Sequence, residues 1–380
     1  AKKALQNPSS QVASLAAEYF LKNSGPNDEK DLQQILNEGK LPWNSKSQIY
    51  ASLIKLIPIH KPLKREVLFT HLLADINNSK SAYEKSAYII ALQNSPSYLS
   101  FLLQLGQKEK DPYTLTTLTQ TIAHIYKNPT FPLLYKGSLN PIYNKTNFFL
   151  AKACQNYDVG SLAIISEWFR TEKGLIRKYF KPDSSLRLAQ KGLKLPRDIE
   201  TYNEIENTLS VLNNKKFRSK SIEYNHPIQW KRLTNIHDTI HAEIICTKGK
   251  IEIELYPKLV PGSVTNFLEL VDQNFFNGKI IHRVVPNFVI QVGCPRGDGY
   301  GSLDYSIRTE SNTTLNYQKE GMIGMASAGL DTECSQFFIT FSPTPHLDGK
   351  YTIFGKMTKG MDVMMLIEQG DKILKINLME

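Results

Sequence analysis

The chain has 380 residues, 41% hydrophobic and 22% charged, a composition of folded globular protein and a length that implies two or three domains rather than one core. No apolar run approaches the roughly 18 residues of a membrane-spanning helix. The four cysteines, Cys154, Cys246, Cys294 and Cys334, form no CxxC pair and are too few for a disulfide scaffold, which excludes zinc-ribbon, thioredoxin-type and cystine-stapled classes. The net charge of +10 is uneven: residues 1–237 hold 33 Lys/Arg against 19 Asp/Glu, a net +14, and residues 238–380 hold 13 against 17, a net −4. The lysines are scattered without interleaved aromatics, so the basic part reads as a solvated surface, with an acidic partner, nucleic acid or anionic membrane as the alternative.

The first half reads as short helices. Val12, Leu15, Ala16 and Tyr19 fall at i, i+3, i+4 and i+7, one face of a helix, with Pro8 in its first turn and Asn7 as its cap. Tyr98, Phe101, Leu102 and Leu105 repeat the spacing, as do Tyr202, Ile205, Leu209 and Leu212 behind a cap at Asp198. Pro62 and Pro112 stand where new helices start, and Ser24-Gly25-Pro26 and Lys127-Asn128-Pro129 separate the periodic segments. Helices of about 10–18 residues with short polar turns suit stacked helical pairs, an α-solenoid; a non-repetitive bundle is the alternative. The stretch Ala4 to Val12, followed by Ala16-Ala17, resembles the start of a HEAT repeat. On this reading residues 1–220 are a HEAT-like helical-repeat domain. The start at Ala1 rather than Met, without a charged-then-apolar leader, and the helix-end look of Ala4-Leu5-Gln6 lead to the expectation that the chain continues a longer array.

Residues 213–236 break the pattern. Asn213 to Lys216 is polar, and Tyr224-Asn225-His226-Pro227-Ile228-Gln229-Trp230 has no clear period. Residues 221–236 are read as a connector anchored by Trp230. From about residue 241 the period changes to two: Ile251, Ile253 and Leu255 alternate with Glu252 and Glu254 after a turn at Lys248-Gly249. Val264, Phe267, Leu268 and Val271 give an amphipathic helix. Strands follow at 280–285, 288–293, 336–341 and 351–357, a helix at 361–368, and a last strand at 373–378. Many short strands with few helices predict a closed antiparallel β-barrel with two helices over 237–380.

Ordered blocks then carry a specific likeness. Phe275-Phe276-Asn277-Gly278, His282-Arg283-Val284-Val285-Pro286-Asn287-Phe288-Val289-Ile290-Gln291, Gly324 to Gly329, Ser335-Gln336-Phe337-Phe338-Ile339-Thr340, and Leu347-Asp348-Gly349-Lys350 with Phe354-Gly355 resemble the cyclophilin family of peptidyl-prolyl cis-trans isomerases, in order and spacing, over about 145 residues. The resemblance implies rotation about X-Pro bonds in protein clients and assistance to protein folding. It assigns catalysis to Arg283, Phe288 and Gln291, and substrate binding to Val289, Ala326, Ser327, Gln336, Phe338, His346, Leu347 and Tyr351.

The chemistry fits those residue types. An amide resists rotation by about 18–20 kcal/mol through delocalisation of its nitrogen lone pair, and X-Pro isomerisation takes tens to hundreds of seconds unaided. No bond breaks, so no nucleophile, metal or cofactor is needed; the catalyst must bind the twisted amide better than the planar forms. A cation donating to the prolyl nitrogen does this, because that lone pair is free only when resonance is lost. Arg283 has the fixed charge and the donors. If Arg283 and Gln291 pair across a hairpin, its loop centres on Asn287, and Val285 and Val289 share their face. Gln291 then orients the guanidinium or the moving carbonyl, while Phe288, Val289, Phe338 and Leu347 supply apolar wall. His282 reads as structural.

Some positions depart from the common pattern. His346 stands where many members have Trp, a variation familiar in bacterial cyclophilins that usually accompanies weak cyclosporin binding. Tyr351, Val289 and Ser327 replace a frequent His, Met and Asn, and Val292 and Cys334 replace usual glycines beside the pocket. Gly297 to Gly301 reads as a pocket-side loop, since a phosphate loop would need a following lysine and helix. His237 and His241 lack the helical context of a metal pair. Cys294 follows the pocket strand and Cys334 sits just before Ser335 at the rim; free thiols are the favoured reading, with a bond between the two as the alternative if the protein is exported, and a bacterial periplasm or cell envelope is favoured over the cytoplasm. The helical repeats are expected to scaffold protein partners, with the basic excess on the stack and a neutral or acidic pocket; the rival reading is a non-catalytic proline-binding adaptor.

Overall fold

The structure, a computed structural model, describes residues 2–7, 9–58, 60–172, 178–221, 225–234, 238–312 and 314–379. Pro8, Tyr224 and His237 lie outside the described residues. The chain divides into two compact units, residues 1–193 with 201–219 and residues 194–200 with 220–380.

The first unit is helical, and no strand precedes Ile240 among the described residues. Its helices are α1 (Ser10–Asn23), α2 (Glu29–Asn37), α3 (Trp43–Leu56), α4 (Pro62–Asn78), α5 (Ala82–Ala91), α6 (Leu99–Lys108), α7 (Pro112–Lys127), α8 (Phe131–Leu134), α9 (Leu139–Gln155), α10 (Val159–Thr171), α11 (Pro182–Gly192) and α12 (Ile199–Leu212). Local chemistry sets several starts. Pro62 and Pro112 occupy first turns, where a missing N–H costs nothing. Ser81, Asp111 and Asp158 cap α5, α7 and α10 by accepting the Glu84, Thr114 and Ser161 N–H groups. Packing alternates: α1, α3, α5, α7 and α10 contact one another in series, while α2 and α4 lie on α3, α6 on α7, and α9 on α6 and α10. One hydrophobic cluster runs from Leu5 to Leu209.

The face of α1 differs from the expected one. Ala13, Ala16, Ala17 and Phe20 are buried, while Val12, Leu15 and Tyr19 are 38%, 37% and 54% exposed. Both sets satisfy the helical spacing and lie one residue, about 100°, apart. The alanines let α1 approach α3 closely, and that contact selects the smaller residues. Asp198, expected to cap α12, accepts from the Lys194 N–H and the Arg197 guanidinium.

The second unit is built on an eight-stranded antiparallel sheet: β1 (Ile240–Cys246), β2 (Gly249–Leu255), β3 (Arg283–Val285), β4 (Val289–Val292), β5 (Met322–Met325), β6 (Phe337–Thr340), β7 (Ile353–Lys359) and β8 (Ile373–Leu378). Their order is β3-β4-β6-β5-β7-β2-β1-β8. The expected closed barrel is therefore corrected to a sheet with β3 and β8 as edges. Just before those edges, Ile280 and Lys372 form an isolated bridge, and the Gly278 N–H donates to the Ile373 carbonyl; β3 itself has only three residues, too few to continue the ladder.

Among the described residues, α13 (Trp230–Leu233), α14 (Pro261–Asp272) and α15 (Met361–Met364) accompany the sheet. Helix α14 buries Val264, Phe267, Leu268 and Val271, as its spacing predicts. Phe267, Phe276, Phe337 and Phe354 meet edge to face or tilted at 5.2–6.2 Å in the core. Trp230 does not anchor the connector, being 61% exposed. Instead the His226 ring stacks on Tyr305 at 4.1 Å and its Nε2 lies 3.0 Å from Glu269. Gln229 also donates to Glu269, and Arg232 pairs with Asp272, so polar partners on α14 hold this segment.

Candidate active site

The β3–β4 hairpin sets the site. Arg283 pairs with Gln291, Val284 with Ile290 and Val285 with Val289. Its turn places Asn287 at φ +60°, a left-handed conformation that asparagine tolerates better than most residues. Alternation then sends Arg283, Val289 and Gln291 to one side. Across β4, Gln291 pairs with Phe338 on β6. Together with Phe288, Ala326, Ser327, Leu347 and Tyr351, these residues line one pocket of about 200 Å³.

The floor is apolar. Val289, Phe338 and Leu347 are buried in a small cluster with Tyr317, Met322 and Ile353. Phe338 meets Tyr351 edge on at 5.7 Å and stacks on Tyr317 at 5.7 Å. Gly324 makes room beneath: a Cβ there would lie 2.1 Å from the Tyr317 hydroxyl and 2.4 Å from the Phe338 ring. The rim is polar. The Arg283 side chain is exposed, with its guanidinium carbon 5.8 Å from the Phe288 ring centre. Among the described residues no carboxylate lies within ion-pair distance of it. Among the described residues that line the pocket, Arg283 alone carries a charge. Gln291 Nε2 donates to Gln336 Oε1 at 3.1 Å, and Gln336 Nε2 donates to the Gly299 and Gly301 carbonyls at 2.9 and 2.8 Å. Gln336 thus fixes the Gln291 amide.

Two of the anticipated residues stand beside the pocket. Gln336 lies behind Gln291, and exposed His346 stacks on Phe288 at 5.5 Å, on the ring's outer side. The arrangement is an apolar slot for a small ring, with the Arg283 guanidinium and an oriented amide at its mouth and, among the described residues, no strong nucleophile along its wall.

The family model described as cyclophilin type peptidyl-prolyl cis-trans isomerase/CLD matches residues 241–377. Peptidyl-prolyl cis-trans isomerase B of Bacillus subtilis is 43% identical over 130 residues, which cover 34% of this chain and 91% of that protein. The chain belongs to the cyclophilin-type peptidyl-prolyl cis-trans isomerases. A Helicobacter pylori peptidyl-prolyl cis-trans isomerase is 46% identical over 137 residues, 36% of this chain and 84% of that protein. A solved Cryptosporidium parvum cyclophilin-type isomerase, 30% identical, covers 37% of this chain and 98% of its own, with a TM-score of 0.36.

Around the cyclophilin pocket the cysteines are free and buried; Cys294 and Cys334 do not form the disulfide considered from the sequence. Burial pushes both thiols up. The Gly299 and Gly301 N–H groups donate to the Cys294 sulfur at 3.3 Å each, so this loop folds around a thiol and props Gln336. Tyr317, Glu333 and Thr352 support the site without any mark in the sequence, as does Gly324, which opens one of the matched blocks but has no role assigned there. Tyr317 is an isolated aromatic between Asn316 and Gln318, with no periodic signal to mark it.

His282 is buried, and burial, with the Arg283 charge adding, lowers its imidazole to about 4. It is neutral at pH 7 and acts as packing. Its folded value lies below the ordinary 6.5, so its contribution to stability is present above pH 6.5 and is lost as the pH falls toward 4. Lowering the pH from 7 to 4.5 is expected to cost about 2–3 kcal/mol through this group. His282→Gln should flatten that acid loss in urea unfolding of the full chain. Equal acid losses in both proteins would place the sensitivity elsewhere.

Proposed function

We propose that the pocket grips the proline ring of an exposed X-Pro segment against Phe338, Val289 and Leu347, while Arg283 donates to the prolyl nitrogen. Planar amides offer that nitrogen no lone pair, so the interaction grows only as the bond twists and lowers the barrier rather than the ground state. Gln291, held by Gln336, orients the guanidinium or the swinging carbonyl, Phe288 and Tyr351 close the sides, and the substrate backbone lies along Ala326 and Ser327. The observation that carries this reading is the unpaired Arg283 guanidinium at the mouth of an apolar slot. The intact chain should accelerate cis-trans exchange in an Ala-Pro peptide measured by NMR. Binding without acceleration would sink the catalytic reading and favour a proline-binding adaptor.

The domain scheme we infer is a HEAT-like scaffold at 1–220, a connector at 221–236 and the isomerase at 237–380. Serial packing of α1, α3, α5, α7 and α10 with intervening helices alongside supports repeat stacking. The scaffold would hold protein clients near the isomerase and assist their folding.

Cyclosporin should bind weakly. His346 presents a smaller and more polar surface than an indole, and it already stacks on Phe288. His346→Trp should tighten the affinity at least tenfold in calorimetric titration. Nanomolar binding by the unmodified protein would refute this.

A further inference from the structure

Behind the pocket lies a carboxyl group that the catalytic reading does not use. Glu333 is fully buried. Its two oxygens accept the Thr352 hydroxyl at 2.9 Å and the Thr352 N–H at 3.3 Å. The same hydroxyl accepts the Glu310 N–H at 2.8 Å, so the Thr352 side chain both donates and accepts. Thr352 sits between two parts of the site. It directly follows Tyr351, the wall packed against Phe338. Its carbonyl accepts the Met325 N–H at 2.9 Å, one residue before the Ala326–Ser327 edge. Glu333 is itself fastened to the far side, its carbonyl accepting the Ile307 N–H at 2.9 Å.

We propose that Glu333 is a positioning residue for the isomerase reaction, whose buried carboxyl grips Thr352 and thereby holds the Tyr351 wall and the Ala326–Ser327 edge at the spacing a bound proline requires. The proposal rests on the pocket reading above. Its chemistry gives it a signature. Burial raises this carboxyl to about 8 against the two Thr352 hydrogen bonds, which favour its charged form, with the nearby Glu310 and Asp331 carboxylates adding to the rise. Tyr317 also faces it, kept neutral by its own burial. At pH 7 the group is neutral and suits its dry site. As the pH passes 8 it ionises; the Thr352 bonds favour the charge, but burial beside two other carboxylates outweighs them and favours moving the side chain toward water. That movement gives up the Thr352 bonds, so the grip loosens on the alkaline side.

The test is kcat/KM for an Ala-Pro peptide between pH 6 and 9.5, measured on the full chain by NMR exchange. The unmodified protein should lose activity along one ionisation near pH 8. Glu333→Gln, which keeps an uncharged acceptor for Thr352, should stay within about threefold of the parent at pH 7 and lose the alkaline fall. Glu333→Ala should drop at least tenfold at pH 7. An alkaline fall that persists in Glu333→Gln, or a folded Glu333→Ala with the parent's kcat/KM, overturns the proposal. If Glu333→Ala does not fold, the Glu333→Gln profile decides alone. A parent without isomerase activity at any pH defeats the pocket reading instead, an outcome distinct from both.

Discussion

Arg283→Ala is expected to lower kcat/KM for X-Pro isomerisation by about 10²–10³-fold while leaving the fold intact, the cost of removing one donor that acts chiefly in the transition state. The fold should survive because the side chain is exposed and carries no ion pair among the described residues; its nearest aromatic partner is Phe288 at 5.8 Å. The backbone of β3 pairs with β4 whatever the side chain. The loss should therefore fall on the rate and not on the melting temperature. Arg283→Lys sharpens the argument: it keeps a charge but not the planar fork, on a shorter reach. It should recover only part of the lost rate. NMR exchange on an Ala-Pro peptide, with an amide spectrum to verify folding, measures both variants. A folded Arg283→Ala protein with the parent's rate would remove the mechanism.

The hairpin is legible in the sequence, because β-pairing is arithmetic. Arg283 and Gln291 stand eight apart with Asn287 at the midpoint, and the structure pairs them. The strand at Met322–Met325 was missed: it is four residues long, holds Gly324 and is buried on both sides, so it shows no alternation. The wrong face of α1 has a similar origin. A stripe containing alanines scores below a neighbouring stripe of larger residues, although close helix packing prefers the alanines. The size of Trp230 suggests an anchor, whereas His226, Gln229 and Arg232 hold the segment through Glu269 and Asp272. Glu333 was invisible for a different reason. A glutamate in a polar loop reads as solvated, and only tertiary packing from residues 307–310 and 352 buries it.

Gly293→Ala should be strongly damaging for a change of one methyl group. The sequence marks Val292 and Cys334 as side chains where glycines are usual, and the structure shows that Gly293 takes the close approach. A Cβ at 293 would lie 2.2 Å from the Ser335 carbonyl oxygen and 3.1 Å from the Gln336 Cα. Both are backbone atoms of the neighbouring segment, so no side chain can swing aside. The Ser335 hydroxyl also bonds the Gly293 carbonyl at 2.8 Å, which keeps the two segments together. The backbone at 293 has φ +91°, which adds about 1–2 kcal/mol for any residue with a Cβ. Separation of the segments would draw Gln336 away from Gln291 as well. The sum is on the order of 3–4 kcal/mol, a fall of roughly 10 °C in the isomerase unit's melting temperature, accompanied by a higher KM. Gly278→Ala isolates the contact: φ there is +76°, but nothing lies within 4 Å of the added carbon. It should cost only the conformational share, about 1–2 kcal/mol, and leave KM unchanged. Calorimetry of the full-length variants reads the difference, and equal losses in the two would show that backbone conformation alone, not the Ser335 contact, makes glycine necessary at 293.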